Sequence, residues 1–375
     1  MKKAKYSQVY TFNETKVTSK NIKDYEKEIF SLMIKSDFVA FDTEFTGGLG
    51  LRNLHSSKPN PRHNALTNFV TRYGMVEFGL SFVQSNSTPP TITTFTFSVL
   101  DGKKFLSDTS SLLFLKQNKF DFNYLFENAI IINPSDRYLV ENKSKTFSSE
   151  YENEKSSSDL TPGTILCRII GNLFVIEKEQ RVSWINPKLP IVGHFVSMDL
   201  YLTLRTFIID IDKNWKKFRP FLQKIEIFDT KLISSHWDKN VPNGLQLLFG
   251  RILGDLNIKL EMFSNQKCLE NLQQEKRKKS SVKKNEKKGE MEIESKVEEE
   301  EEEEKEEEES KNENENEKVV KKKEYITEFE GGHSAGFDSF MTAIVFYFLT
   351  DKFDLEEIES FKGSLFGGQR KMFQL

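Results

Sequence analysis

The segment SDFVAFDTEFTGGLG carries the strongest constraint in this chain, because Asp42 and Glu44 stand inside an otherwise aromatic and β-branched run, Phe38, Val39, Ala40, Phe41 and Phe45. A short continuous apolar run of this composition reads as a buried strand. Side chains two apart on a strand share a face, so the two carboxylates converge there. An ionised carboxylate in an apolar core is costly unless it is paired, protonated or metal-bound. Two readings follow. Either the strand has surfaced by Asp42 and both acids are solvated, or a divalent cation sits between them, Mg²⁺ being suited to hard oxygen ligands.

The pattern around this strand predicts an α/β sheet with helices on its faces. Ile22, Tyr25, Ile29 and Leu32/Met33 recur at helical spacing ahead of it. The stretch from Thr46 to about Arg72, with its Gly, Pro, Asn and Ser, reads as a long loop. MVEFGLSFVQ and TITTFTFSVL read as a strand pair, and SSLLFLKQNKFDFNYLFENAI as helix, turn and helix. Residues 134–164 form a polar surface connection, and from Thr161 to Trp184 the pattern fits helix and strand equally. LPIVGHF is a short buried strand followed by the helix SMDLYLTLRTFIID. EIFDTKLISS and NGLQLLFGRILGDL repeat the order, and GGHSAGFDSFMTAIVFYFLT leads from a Gly-rich start into an apolar helix. Residues 272–324, basic and then acidic, bury too little apolar surface to order and read as a disordered insertion. The expected organisation is a single domain over 1–375, with its core at about 20–271 and 325–360.

Composition excludes several classes. Cys167 and Cys268 lie far apart, without the spacing of a zinc ribbon or a disulfide framework. The start, MKKAKYSQVYTF, has no apolar h-region, and FMTAIVFYFL is too short to span a bilayer, so no membrane is expected. The formal charge is −3, concentrated in the insertion, and argues neither for nor against nucleic acid. The expected location is cytoplasmic, nuclear or both, with the basic tract 276–288 a candidate import signal.

Four further residues bear on the paired acids. Asp199 opens a Leu- and Tyr-rich helix, Asp229 ends an apolar strand just before Lys231, and His333 precedes Asp338 by five positions in a Gly-flanked turn. Each Asp taken alone also suits a helix N-cap. In order, D-x-E, an Asp in GHxxxxD and H-x-x-x-x-D match the three-motif pattern of DEDDh 3′ exonucleases. FVAFDTEFTGG, VEFGLSF, SLLFLKQNKFDFNYLFENAI, IVGHFVSMDLYLTLRTF, FDTKLIS and HSAGFD resemble, in order, segments of the poly(A)-specific ribonuclease family, over roughly Lys35 to Leu349.

That resemblance implies a ribonuclease H-like exonuclease fold, a mixed central β-sheet flanked by helices. It implies that Asp42, Glu44, Asp199 and Asp338 hold two Mg²⁺ ions, with Mn²⁺ able to substitute, and that His333 is the general base. Phe45, Thr46 and Lys231 would contact substrate. The implied activity is Mg²⁺-dependent 3′→5′ hydrolysis of single-stranded RNA 3′ ends, poly(A) tails or small RNAs, releasing nucleoside 5′-monophosphates. A homodimer through the nuclease domain is implied as well. Asp229 is expected to be structural, and His194 to make a core hydrogen bond. The chain departs from longer family members in having no inserted helical nucleic-acid-binding domain. No RNA-recognition-motif domain is expected, the nuclease segments being followed only by GGQRKMFQL, and cap binding is unsupported. Gly48 replaces a commonly apolar residue, which points to looser adenine selectivity. An exonuclease of broader RNA/DNA specificity and an inactive RNA-binding scaffold are the alternatives.

Overall fold

The computed structural model describes residues 9–48, 53–54, 56, 58–102, 105–138, 160–174, 189–238, 240, 244–256, 259–263, 333–366 and 372–374. The aromatic run is strand β2 (Phe38–Phe45), at the heart of an eight-stranded mixed sheet. Its Val39 and Phe41 enter one hydrophobic core, and its Phe38 and Ala40 another on the opposite face. Burial on both faces is why the strand reads as continuously apolar rather than alternating.

Antiparallel to β2 runs β3 (Met75–Gln84), followed by antiparallel β4 (Thr91–Asp101). β1 (Val9–Val17) lies parallel to β4, with β8 (Lys259–Phe263) parallel to β1 at the edge, while β5 (Ile130–Ile132) pairs with the far end of β4. On the other side of β2 come parallel β6 (Ile191–Gly193) and β7 (Ile227–Asp229). A separate hairpin joins β9 (Ser364–Phe366) to β10 (Met372–Gln374). This is the mixed sheet flanked by helices that the resemblance implies.

The helices expected from periodicity are present: α1 (Ile22–Lys35), the pair α3 (Thr109–Gln117) and α4 (Phe122–Asn128), and the ambiguous stretch, which forms α5 (Pro162–Phe174). Residues 175–188 lie outside the described residues, as do 139–159 of the expected polar connection and the whole of 272–324. α6 (Ser197–Thr203) runs straight into a wider π-helical turn, Leu204–Ile208. It is followed by α7 (Trp215–Leu222), α8 (Thr230–Trp237) and α9 (Leu245–Leu256). α10 (Ala335–Thr350) is apolar all round and buried, as such a helix must be. It lies on the Phe38/Ala40 side of the sheet, where the Phe38 and Phe346 rings meet edge-on with centroids 4.9 Å apart, and Ser339 Oγ bonds Ser81 Oγ at 2.8 Å. α11 (Leu355–Ser360) follows. No helix among the described residues is long and apolar enough to cross a membrane.

One expectation fails. The stretch from Thr46 to Arg72 is not all loop, because its second half is α2 (Pro59–Arg72), with proline in its first turn. The buried residues of α2 are Arg62, His63, Leu66, Thr67, Phe69 and Val70, and the polar ones among them disguise the helical period. Arg62 bonds Ser197 Oγ and donates to the Phe366 carbonyl at 2.8 Å. His63 meets Tyr201 Oη at 2.9 Å and the Asp212 carbonyl at 2.8 Å.

Candidate metal centre

Asp42 and Glu44 continue the Phe38/Ala40 side of β2, the side on which α10 begins. Ser334 caps α10, its hydroxyl accepting from Phe337 N–H at 3.2 Å, and this sets Asp338 in the first turn. One carboxylate oxygen from each of Asp42, Glu44 and Asp338 lies within 4.8 Å of the others. Asp199, in the first turn of α6, comes from the other face of β2 and accepts from Thr43 Oγ1 at 2.6 Å. His333 Nδ1 stands 3.2 Å from Asp338 Oδ2. The structure thus brings together all five residues of the three motifs. The capping alternative holds only for Asp229, whose side chain accepts from Lys231 N–H at 3.0 Å; Val196 and Ser334 occupy the cap positions of the other two helices.

Glu44, Asp199 and Asp338 are buried, and the crowding of acids shows in their proton affinities. Burial pushes Asp42 and Glu44 well above the usual carboxylate range, and the neighbouring acids push further: Asp199, Asp338, Glu44 and Glu77 on Asp42, and Asp338, Glu77 and Asp199 on Glu44. Burial lifts Asp199 to about 6 against the opposing Thr43 hydrogen bond. Asp338 is also raised by burial, with His333 acting the other way, and the same hydrogen bond raises His333. Among the described residues, His333 is the only ion-pair partner of these acids.

This donor set fits divalent cations. Convergent buried carboxylates offer hard oxygens and repel one another until positive charge is supplied. Asp338 Oδ1 is buried without a hydrogen-bond partner among the described residues, as expected of an oxygen reserved for a cation. Asp42, Glu44, Asp199 and Asp338 are the residues that would hold it.

The expected substrate contacts are placed as follows. Phe45 is half-buried, its ring edge-on to Phe69 with centroids 5.2 Å apart. The Thr46 hydroxyl is buried, donating to the Leu106 carbonyl at 2.7 Å and accepting from Gly74 N–H at 3.1 Å. Lys231 is buried, with Nζ 5.9 Å from the centre of the Phe366 ring. Asp229 accepts from the backbone N–H groups of Phe195, Lys231 and Phe366 at 2.8, 3.0 and 3.0 Å. His194 Nδ1 bonds Thr230 Oγ1 at 2.9 Å, and burial pushes its pKa down to about 3. Gly48 has φ +103°, and a Cβ there would lie 2.5 Å from the Phe69 ring, so this backbone excludes the larger apolar residue the resemblance led one to expect.

Sequence reasoning missed Glu77 in β3. It pairs in register with Glu44, is buried, and has its pKa raised to about 7, chiefly by burial. The signal that would have found it is the one that marked Asp42: a carboxylate inside an apolar strand, here MVEFGLSF.

A mixed sheet with four acids converging from one strand and two helix starts defines a domain suited to holding divalent cations in a buried site. The family model described as CAF1 family ribonuclease matches residues 17–183 and 183–346, and the chain belongs to that family. The poly(A)-specific ribonuclease PARN of Xenopus laevis is 27% identical over 158 residues, 38% of this chain and 24% of that protein, so the chain matches about a quarter of that relative's length. Two solved structures are similar. The RNase domain of the yeast Pop2 protein has a TM-score of 0.44 and 17% identity, covering 67% of this chain and 78% of that one. The Mg²⁺- and Mn²⁺-bound form of S. pombe Pop2p has a TM-score of 0.42 and 19% identity, covering 65% and 82%.

Proposed function

We propose that this protein is a divalent-metal-dependent 3′→5′ exoribonuclease that trims single-stranded RNA 3′ ends, poly(A) foremost. The observation that carries the reading is the gathering of Asp42, Glu44 and Asp338 within 4.8 Å, joined by Asp199 through Thr43 and by His333 on Asp338. Membership of the CAF1 ribonuclease family supports the reaction class, and the similarity to a poly(A)-specific ribonuclease supports the substrate.

When bound, two Mg²⁺ ions supply Lewis-acid activation of water and charge neutralisation at the phosphodiester. The four carboxylates hold the positive charge in place. Asp338 orients the imidazole through Nδ1, which leaves Nε2 of His333 to take a proton from the attacking water. An imidazole's ordinary pKa of ~6.5 lies close to the working pH that such a base needs, and the hydrogen bond to Asp338 raises it in His333.

The test is a 5′-labelled oligo(A) incubated with Mg²⁺, with oligo(U) and oligo(dA) in competition, for the wild type and for Asp42→Ala. Shortening from the 3′ end, lost in the variant and little slowed by the competitors, is the expected result. Equal degradation by both proteins overturns the assignment of the site. Efficient competition by oligo(dA) overturns the RNA preference.

A further inference from the structure

The metal centre has two halves that belong to distant parts of the chain. Asp42 and Glu44 come from β2, and Asp338 and His333 from the start of α10. Glu77 touches the second half and faces the first. It lies opposite Glu44 in the β2–β3 register, and its Oε2 accepts the backbone N–H of Ala335, the first residue of α10, at 2.8 Å. The first N–H groups of a helix have no partner within it, and the end they form is positive, so a carboxylate placed there is held by both hydrogen bond and dipole.

The contact is close-fitting. A Cβ at Gly79, on the same face of β3 two residues on, would stand 2.0 Å from the Ala335 carbonyl oxygen, so the helix start rests on the strand backbone. A Cβ at Gly336 would stand 1.9 Å from Thr96 Oγ1 and 2.6 Å from Glu14 Oε1. Those two groups are themselves hydrogen-bonded across β4 and β1. The first turn of α10 is therefore pressed onto the sheet from below, and among the described residues Glu77 is the side chain that bonds its leading N–H.

We propose that Glu77 is a positioning residue: by holding Ala335 N–H it fixes where Asp338 and His333 stand relative to Asp42 and Glu44. It acts through the helix start rather than by ligating metal, since the convergent oxygens are those of Asp42, Glu44 and Asp338. This rests on the proposed reading of the cluster as a metal centre, which the experiment also probes separately.

Three full-chain variants decide it. Glu77→Met keeps the volume and removes the acceptor, Glu77→Gln keeps an accepting oxygen and removes the charge, and Glu77→Ala is a second non-accepting variant should the first fail to fold. Mn²⁺ affinity is measured without RNA, by electron paramagnetic resonance or calorimetry, and kcat and KM are measured on oligo(A). Groups that orient metal ligands typically contribute about 10- to 100-fold to metal affinity or activity. Glu77→Met is therefore expected to weaken Mn²⁺ binding and lower kcat by about tenfold or more, with KM for RNA little changed, and Glu77→Gln to restore both to within about threefold.

Wild-type Mn²⁺ affinity and kcat in a folded Glu77→Met or Glu77→Ala would overturn the proposal and leave Glu77 a packing residue. Equal damage in Glu77→Gln would overturn it too, because the hydrogen bond would not be what matters. If the wild type binds Mn²⁺ but leaves RNA intact, the nuclease reading falls, while the Mn²⁺ measurements still decide the role of Glu77. If the wild type binds no Mn²⁺, both fall.

Discussion

Removing the metal from this site should destabilise the fold in a pH-dependent way, and the size of the effect can be worked from its carboxylates. Glu77 is raised from 4.5 to about 7 in the folded protein. A raised acid holds a proton in the folded state that the unfolded chain has already released, so its effect is a loss of stability as pH climbs from about 4.5 to about 7. For Glu77 alone the loss by pH 8 is about 3 kcal/mol. Asp42, Glu44, Asp199 and Asp338 shift in the same direction, and so does His333, whose raised pKa also gives stability that is lost with rising pH. His63 and His194 are pushed down by burial and tilt the metal-free baseline the opposite way below about pH 6.5. That contribution is the same with and without metal, so it cancels in the metal-induced difference.

At pH 8 the carboxylates must ionise together, and bound Mg²⁺ relieves them; at pH 5 protons already do so and the metal must displace them. Saturation to 100 times the dissociation constant adds about 2.7 kcal/mol, or about 5 °C in melting temperature at roughly 2 °C per kcal/mol for a large domain. The assay is thermal unfolding of chelator-stripped protein, with and without Mg²⁺, at pH 5 and pH 8. The expected result is a rise of about 5 °C at pH 8 and a much smaller one at pH 5. Equal rises at both pH values, or none at pH 8, would refute the reasoning.

Other consequences follow from single contacts. Asp42→Asn, which removes one of the mutually repelling charges, should raise the metal-free melting temperature at pH 8 while lowering kcat on oligo(A) by about 100-fold or more; unfolding scans and steady-state kinetics read the two effects. Gly79→Ala drives a methyl group into the Ala335 carbonyl and should cost about 1–3 kcal/mol in denaturant unfolding, with reduced Mn²⁺ affinity in the folded fraction. Asp229→Ala leaves the N–H groups of Phe195, Lys231 and Phe366 without their shared acceptor and should cost about 3 kcal/mol or more by chemical denaturation. Neutral His333 is the competent base, so kcat/KM should rise with pH through an apparent pKa above 6.5, and His333→Ala should flatten that limb; a limb unchanged in the variant would exclude His333 as the base.

Much of the centre of the molecule was legible in the sequence, for a physical reason. Asp42 and Glu44 are anomalies within their own strand, and Asp199, His333 and Asp338 sit in short local patterns at helix starts, so each can be recognised without knowing its partners. The strands β2, β3 and β4 were readable because their aromatic and β-branched runs are buried on both faces. α2 was not, because its buried stripe includes Arg62 and His63, whose desolvation is offset by Ser197, Phe366, Tyr201 and Asp212, all far away in sequence. β1 was missed for a related reason: between Tyr10 and Val17 its residues alternate with Thr11, Asn13, Glu14 and Lys16, and Glu14 finds its partner on β4.

Glu77 is the sharpest case of a residue that local reading passes over. Its acceptor role depends on an N–H 258 positions away, on the far side of the charged insertion. Within MVEFGLSF it stands out as an acid in an apolar strand, but nothing in that segment says what it binds. Only the register that sets it against Glu44, together with the seating of α10 on Gly79, gives it a task. The division is therefore between groups whose chemistry is declared by their immediate neighbours and groups that hold those neighbours in place. The first kind includes the four acids and His333; the second includes Glu77, Thr43, which holds Asp199, and Asp229, which gathers three backbone N–H groups from three segments. A metal centre assembled from segments so far apart in the chain needs the second kind as much as the first, since mutually repelling carboxylates do not stay within reach of one another unless the backbone is held there.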